Sequence, residues 1–277
     1  MSIRFMAPFL FLAACTPAVG ATTDAVRAPT RTVLVELFTS QGCSSCPAAD
    51  AFVRDFPSLG LTRARVVPLT FHVDYWNDLG WPDPFSSPAF TARQQRYAEA
   101  GHLRGPSGGD AMTGLYTPQM IVDGTVHFSG GRRETGLDEI RRAGEAPALI
   151  EIEGDAIVEG DHAIVTLYPR AHGSPRDWEV FVALAAKSAR TSVSRGENRG
   201  ETLEEAAVVR ALSAPVRPSF VANAPPLRIS VTKPRDLAWS AVELAAVVQS
   251  PKTMQVGAAL SLTPREGATK DARGDAK

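Results

Sequence analysis

The chain has 277 residues, 44% of them apolar and 21% charged, which excludes a disordered polyelectrolyte, a collagen-like repeat and a miniature fold stapled by cysteines. Twenty-nine basic against thirty acidic residues leave a formal charge of −1, so nothing in the balance suits nucleic acid or an anionic membrane surface. The length suits two modest domains, and the three cysteines, Cys15, Cys43 and Cys46, each need an account of their own.

Residues 1–20 read as a signal peptide. One cation at Arg4 precedes the apolar run Phe5 to Ala14, which is too short to span a bilayer as a permanent helix. Leu12-Ala13-Ala14-Cys15 resembles the lipobox of bacterial lipoproteins, which implies cleavage before Cys15 and lipidation of its sulfur. Ala18-Val19-Gly20 offers a second cleavage point that would discard Cys15. The first route leads to the periplasm or outer membrane, with membrane contact only through the lipid anchor; the second gives an unanchored, secreted chain. Either places Cys43 and Cys46 in an oxidising compartment.

Residues 21–31 read as a tether. Thr32 to Phe38 is a near-continuous apolar and β-branched run, as expected of a strand buried on both faces. Thr39-Ser40-Gln41-Gly42 forms a turn, and Pro47 opens a helix whose apolar positions are Ala49, Phe52, Val53 and Phe56. Arg65 to Val73 reads as a second buried strand. An aromatic and proline-rich stretch, Asp74 to Pro88, precedes a helix over Ala89 to Ala100. Asp123-Gly124 between short apolar runs predicts a hairpin, and a helix over Leu137 to Ala143 follows. The order implies a mixed α/β sheet with the first two strands parallel, an α/β N-terminal domain over residues 32–145. Residues 146–263 carry strand-like runs and imply a mostly β, sandwich-like C-terminal domain, with Leu203 to Leu212 open between strand and helix. Residues 264–277 read as a disordered tail.

Cys43-Ser44-Ser45-Cys46 lies where a buried strand hands over to a helix. The free N–H groups and positive partial charge of a helix start stabilise a thiolate at Cys43, and Cys46 lies close enough to close a disulfide. The expected roles are therefore attack by Cys43 on a partner disulfide and resolution by Cys46, with no cofactor beyond that redox-active disulfide. Two alternatives stay open. One is a static disulfide pinning the helix start. The other is soft-metal binding of copper or zinc by the same two thiolates, helped by His72, Met112, Met120 or His127.

Thr117-Pro118 follows a glycine-rich loop and opens the hairpin, in the manner of the cis-proline beside the disulfide of thioredoxin-like proteins. Glu36 is an acid within a buried strand; it stands either beneath the resolving thiol or against a charged partner such as Arg93. His72 and Asp74 leave the second strand at the edge that delivers Cys43, and Tyr75, Trp76 and Trp81 either wall a groove there or cover the sheet. Arg195, Glu197 and Asn198 suit a hydrogen-bonded contact between domains or a ligand site.

Val35 to Asp50, with its Phe-Thr-Ser-Gln-Gly-Cys-Ser-Ser-Cys-Pro core, is similar to the exported thioredoxin-like family catalogued as domain of unknown function 1223. Phe71 to Trp81, Asp83 to Pro88, Arg93 to Tyr97, Tyr116 to Met120, Ser194 to Gly200 and Val248-Gln249 extend the resemblance over roughly residues 32 to 262. The resemblance implies that the α/β N-terminal domain is thioredoxin-like, together with bacterial export and a redox role exercised on protein or small-molecule thiols and disulfides. A redox-inert scaffold for a protein partner is the remaining alternative.

Overall fold

The computed structural model describes residue 1 and residues 31–109, 113–172, 177–221 and 223–267. Cys15, both cleavage points, Met112 and residues 268–277 lie outside the described residues.

The two apolar runs form strands β1 (Val33–Thr39) and β2 (Val66–His72), buried along their length and paired in parallel, with Val33 opposite Val66 and Thr39 opposite His72. Helix α1 (Pro47–Arg54) connects them and packs Ala49, Phe52 and Val53 against Val33, Val35 and Leu37 on one face of β1. Helix α2 (Pro88–Ala100) begins at Ser87, whose hydroxyl accepts from the Ala89 N–H at 3.3 Å. It covers the other face, where Phe90 and Tyr97 pack with Leu34, Phe38 and Phe71. Strands β3 (Gln119–Val122) and β4 (Val126–Ser129) form the hairpin across a three-residue connection, in which Asp123 and Gly124 are both at positive φ and the Thr125 N–H closes the turn onto the Val122 carbonyl at 3.0 Å. Strand β3 runs antiparallel to β1, and helix α3 (Arg133–Glu145) closes this half.

The later half supplies β5 (Ile150–Glu159), β6 (His162–Ala171), β7 (Glu179–Ser192), β8 (Thr202–Leu212), β9 (Leu227–Thr232), β10 (Val242–Gln249), β11 (Val256–Leu262) and the short β12 (Arg265–Glu266). The segment left open between strand and helix is thus a strand, β8.

The architecture corrects the expected fold class. The chain is mostly β, with three α-helices among the described residues, and is not an α/β thioredoxin-like domain followed by a separate sandwich-like domain. One eight-stranded sheet in the order β11-β10-β7-β8-β2-β1-β3-β4 runs through both halves of the chain. The second sheet, β12-β5-β6-β9, packs Ala163, Val165, Leu167, Ile229 and Val231 onto Val180, Val182, Leu244 and Ala246 of β7 and β10. The physical reason lies at β2. Its outer edge has unpaired backbone groups, and β8 covers that edge in parallel, with Val208 opposite Thr70 and the Thr70 hydroxyl donating to the Ala206 carbonyl at 2.8 Å. Hydrophobic periodicity locates strands but does not say which edges will pair.

The sheet also curls. The β10–β11 turn folds back onto the hairpin: the Val256 N–H donates to the Asp123 carbonyl at 3.0 Å, and a Cβ on Gly124 would lie 1.9 Å from the Met254 carbonyl oxygen.

Candidate functional site

Cys43 and Cys46 form a disulfide with Cα atoms 5.5 Å apart. Cys46 is the N-cap residue of α1, Pro47 follows it in the first turn, and Ser45 Oγ lies 3.3 Å from Cys43 Sγ. The sequence folds this way because β1 ends at Thr39 and the N–H of Cys43 closes a turn onto the Ser40 carbonyl at 3.1 Å. Both sulfur-bearing residues are covered, Cys43 at 1% and Cys46 at 0% exposure.

The cover over this turn comes from two distant segments. Asn198 donates to the carbonyls of Gln41 and Cys43 at 2.9 and 3.0 Å, and Glu197 accepts from the Ser44 N–H at 2.9 Å. Ser44 holds the Glu197 carboxyl below its ordinary range. Gly196, at φ +78, packs against Gly80 and Trp81, where a Cβ would lie 3.0 Å from Trp81 Cβ. Trp76 places its Cβ within 3.4 Å of where a side chain on Gly42 would begin, and donates from Nε1 to Thr117 Oγ1 at 2.8 Å. The Thr117–Pro118 peptide is cis, and the Pro118 carbonyl accepts from the Gly130 N–H at 3.0 Å.

Beneath the turn is a buried polar cluster. His72 Nδ1 pairs with Asp83 Oδ2 at 2.7 Å, and its Nε2 stands 3.7 Å from Glu205 Oε1, beyond hydrogen-bond reach. Asp83 also accepts from the backbone N–H groups of Gln41 and Phe85, at 2.8 and 2.9 Å. The Gln41 side chain donates to Glu205 Oε2 at 2.8 Å and to Thr191 Oγ1 at 3.0 Å, and accepts from Trp81 Nε1 at 3.1 Å. Asp50 lies one helical turn beyond Cys46 in α1, donates its N–H to the Cys46 carbonyl at 3.1 Å and accepts from Thr39 Oγ1 at 3.2 Å.

The electrostatics follow from burial and crowding. Burial, then the Glu205 charge, push Asp50 up to about 8, against the pull of His72 and Thr39. Burial works against charge on His72, but Glu205, Asp83 and Asp50 outweigh it and raise the imidazole to about 9. Burial also pushes Glu205 up, with His72 opposing. Asp83 moves the other way: burial would raise it, but His72 and its backbone donors hold it below the ordinary carboxylate range.

The remaining predicted residues sit elsewhere. Glu36 faces α2, where Arg93 Nε donates to its carboxylate at 2.6 Å and the Tyr97 hydroxyl also donates to it. Gln249 of β10 joins this network, accepting from Arg93 at 3.0 Å and donating to Tyr97 at 2.8 Å. Glu36 therefore lies across the sheet from α1 and its cysteines. Asp74 accepts from Thr91 Oγ1 at 2.5 Å and is tied to the first turns of α2. His127 Nδ1 is bonded to Gln119 at 2.7 Å while its buried Nε2 has no hydrogen-bond partner, and Met120 is core. Among the described residues no group of three His, Cys, Asp or Glu side chains could hold a metal ion. Asp50, Asp83, Gln41 and Glu205 are the site residues that sequence reasoning missed. Asp50 carried a signal of its own, an acid four residues after Cys46 flanked by the buried positions Ala49, Phe52 and Val53; Gln41 and Asp83 were marked only by lying in the motifs of the resemblance, and Glu205 by nothing.

A family model described as protein of unknown function (DUF1223) matches residues 34–249. The chain belongs to the DUF1223 family. Among solved structures, this DUF1223 chain is similar to a crystal structure of a protein from Agrobacterium tumefaciens, at 26% identity and a TM-score of 0.58, covering 84% of this chain and 94% of that one. A domain of an outer membrane lipoprotein from Porphyromonas gingivalis is similar at 13% identity and a TM-score of 0.26, covering 44% of this chain and 93% of that one, too distant a likeness to carry weight. No curated protein matches significantly. No helix among the described residues is long and apolar enough to cross a membrane.

Proposed function

We propose that this chain is an exported thiol–disulfide oxidoreductase whose Cys43–Cys46 pair exchanges with disulfides and thiols of proteins or small molecules. The observation that carries the reading is the position of the pair. It spans the start of α1 just past the carboxyl end of β1, with Trp76, which packs at Gly42, bonded to Thr117 of the cis Thr117-Pro118 peptide, and with a buried acid, Asp50, one turn beyond Cys46.

In the reducing direction, the Cys43 thiolate attacks one sulfur of a substrate disulfide. The substrate S–S bond breaks, one substrate thiolate leaves, and a mixed disulfide forms. Cys46 then loses its proton and attacks Cys43 Sγ. The mixed disulfide breaks, the second substrate thiolate leaves, and Cys43–Cys46 closes. Counted from the Cys43 thiolate, the protein has given up two electrons and the Cys46 proton, and the two departing substrate thiolates become thiols by taking up that proton and one from water. The positive partial charge at the start of helix α1 favours the Cys43 thiolate, and Asp50, one helical turn beyond Cys46 in the same helix, is the candidate base for the buried Cys46 thiol. Because both cysteines are covered, exchange requires the turn around Glu197 and Asn198 to lift from Ser44, Gln41 and Cys43.

The trap is a Cys46→Ala variant, which should accumulate mixed disulfides through Cys43 that reductant releases. No adducts, together with a wild-type pair that stays oxidised in cells and reacts with no added disulfide once reduced, would overturn the reading. The exported address rests on the sequence around Cys15. Palmitate labelling that disappears in Cys15→Ala supports the lipid anchor; a mature chain beginning at Ala21 removes it.

A further inference from the structure

Asp50, His72, Asp83 and Glu205 come from α1, β2, the aromatic stretch and β8, and share one desolvated space containing three carboxyls and one imidazole. Asp83 is satisfied by three donors, and with His72 it forms a pair that is neutral overall. Asp50 and Glu205 are left with unpartnered oxygens, Oδ1 on one and Oε1 on the other, both buried. The charged groups acting on Asp50 are Glu205 from β8, His72 from β2 and Asp83 from the aromatic stretch; β1 contributes only the neutral Thr39 hydroxyl. Two carboxylates in such a space do not both ionise, because each raises the cost of charge on the other.

Glu205 has a second surface. It lines the inner wall of a groove of about 650 Å³ between α1 and strands β7 and β8, whose rim carries Arg54, Lys187, Arg190 and Glu204. Glu205 therefore borders both the cluster and a solvent-reaching groove, while Asp50 lies one helical turn beyond Cys46 in α1, with its N–H on the Cys46 carbonyl at 3.1 Å.

We propose that Asp50 and Glu205 share one proton, and that Glu205 is the positioning residue through which the proton leaving Cys46 passes from Asp50 to the groove. This rests on the exchange chemistry proposed above. In the resolving step the Cys46 S–H proton moves to the Asp50 carboxylate, and the Cys46 thiolate attacks Cys43 Sγ. The second substrate thiolate leaves and takes a proton from water. The surplus proton on the Asp50–Glu205 pair then goes to water in the groove, which restores the single shared proton. A strand of the later half thereby becomes part of the redox centre.

The test uses the full chain and the variants Glu205→Gln, Glu205→Asp and Asp50→Asn, with retained fold checked by circular dichroism. The first measurement needs no turnover: the infrared carboxyl band lost in Asp50→Asn is titrated in the oxidised protein. Glu205→Gln should lower its midpoint by about one pH unit or more, as expected when a neighbouring charge is removed, and Glu205→Asp should restore it. The second is the pH profile for oxidation of the reduced protein by oxidised glutathione, whose midpoint should move with the band in Glu205→Gln and flatten in Asp50→Asn. An unmoved band in Glu205→Gln overturns the shared proton. A moved band with an unmoved exchange profile overturns the relay and leaves the exchange function standing. A wild type that does not react with the probe at all removes the exchange function, and the relay with it, while the band still reports the coupling.

Discussion

Asn198 and Cys43 are joined by a hydrogen bond of 3.0 Å from the amide of one to the carbonyl of the other, although 155 positions separate them. The same amide reaches Gln41, so one side chain from the later half holds the turn that presents the disulfide. That cover makes Cys43 and Cys46 as buried as core residues, and reactivity at the pair becomes a question of how firmly the cover is held.

Asn198→Ala leaves two buried carbonyls without their donor, at a cost of about 1–3 kcal/mol. The melting temperature should fall, and the rate at which small reductants open the disulfide should rise. A variant that is destabilised but opens no faster would show that the cover does not limit access.

Glu36 and Arg93 form an ion pair at 2.6 Å with side-chain exposures of 0% and 6%. Arg93→Ala should cost about 3–5 kcal/mol, because it strands a buried carboxylate. The double variant Glu36→Gln with Arg93→Met should recover much of that loss. Urea denaturation of the three proteins reads the difference, and equal midpoints for the single and double variants would contradict it.

His72 titrates near 9 in the fold and near 6.5 when unfolded, so the stability it contributes is complete below about pH 6.5 and lost as pH rises through about 9. Asp50, raised to about 8 from 3.8, adds in the same direction, since its charged form is penalised in the fold as pH climbs between those values. The melting temperature should therefore decline from pH 6.5 to 9, and His72→Gln should decline less steeply. A flat wild-type curve over that window would be inconsistent with this cluster.

Gly124→Ala sets a methyl group against the Met254 carbonyl at a backbone of φ +66, and should destabilise by about 1–3 kcal/mol from overpacking alone. Gly160→Ala is the control: its φ is +62, but nothing lies within 4 Å, so only the backbone preference is lost. Thermal melts that fail to separate the two would deny the hairpin its contact with the β10–β11 turn.

Most strands, the hairpin and the three helices were legible because apolar runs, Asp123-Gly124 and Pro47 act over a few residues, whereas β8 was open between strand and helix and β12 falls in the stretch read as a disordered tail. Helix α3 begins at Arg133, four residues before the expected Leu137, because its first turn is polar. Strand partners were not legible, since the edge of β2 that accepts β8 looks in sequence like any other buried run. The same divide holds at the site. The cysteine pair could be read from its spacing, whereas Glu205 sits in a segment with no chemical signature and acquires one only when β8 is laid beside β2.

The seam at Thr70 and Val208 bears on how the protein can be produced. A fragment stopped after Ala146 would keep every cysteine of the pair, yet it would bare the hydrogen-bonding margin of β2 and lose Glu205, Asn198 and Gln249. Such a piece would offer a sticky strand to its neighbours and place the His72 side chain against water. The stretch that keeps both sheets and the site together runs from Val33 to Glu266.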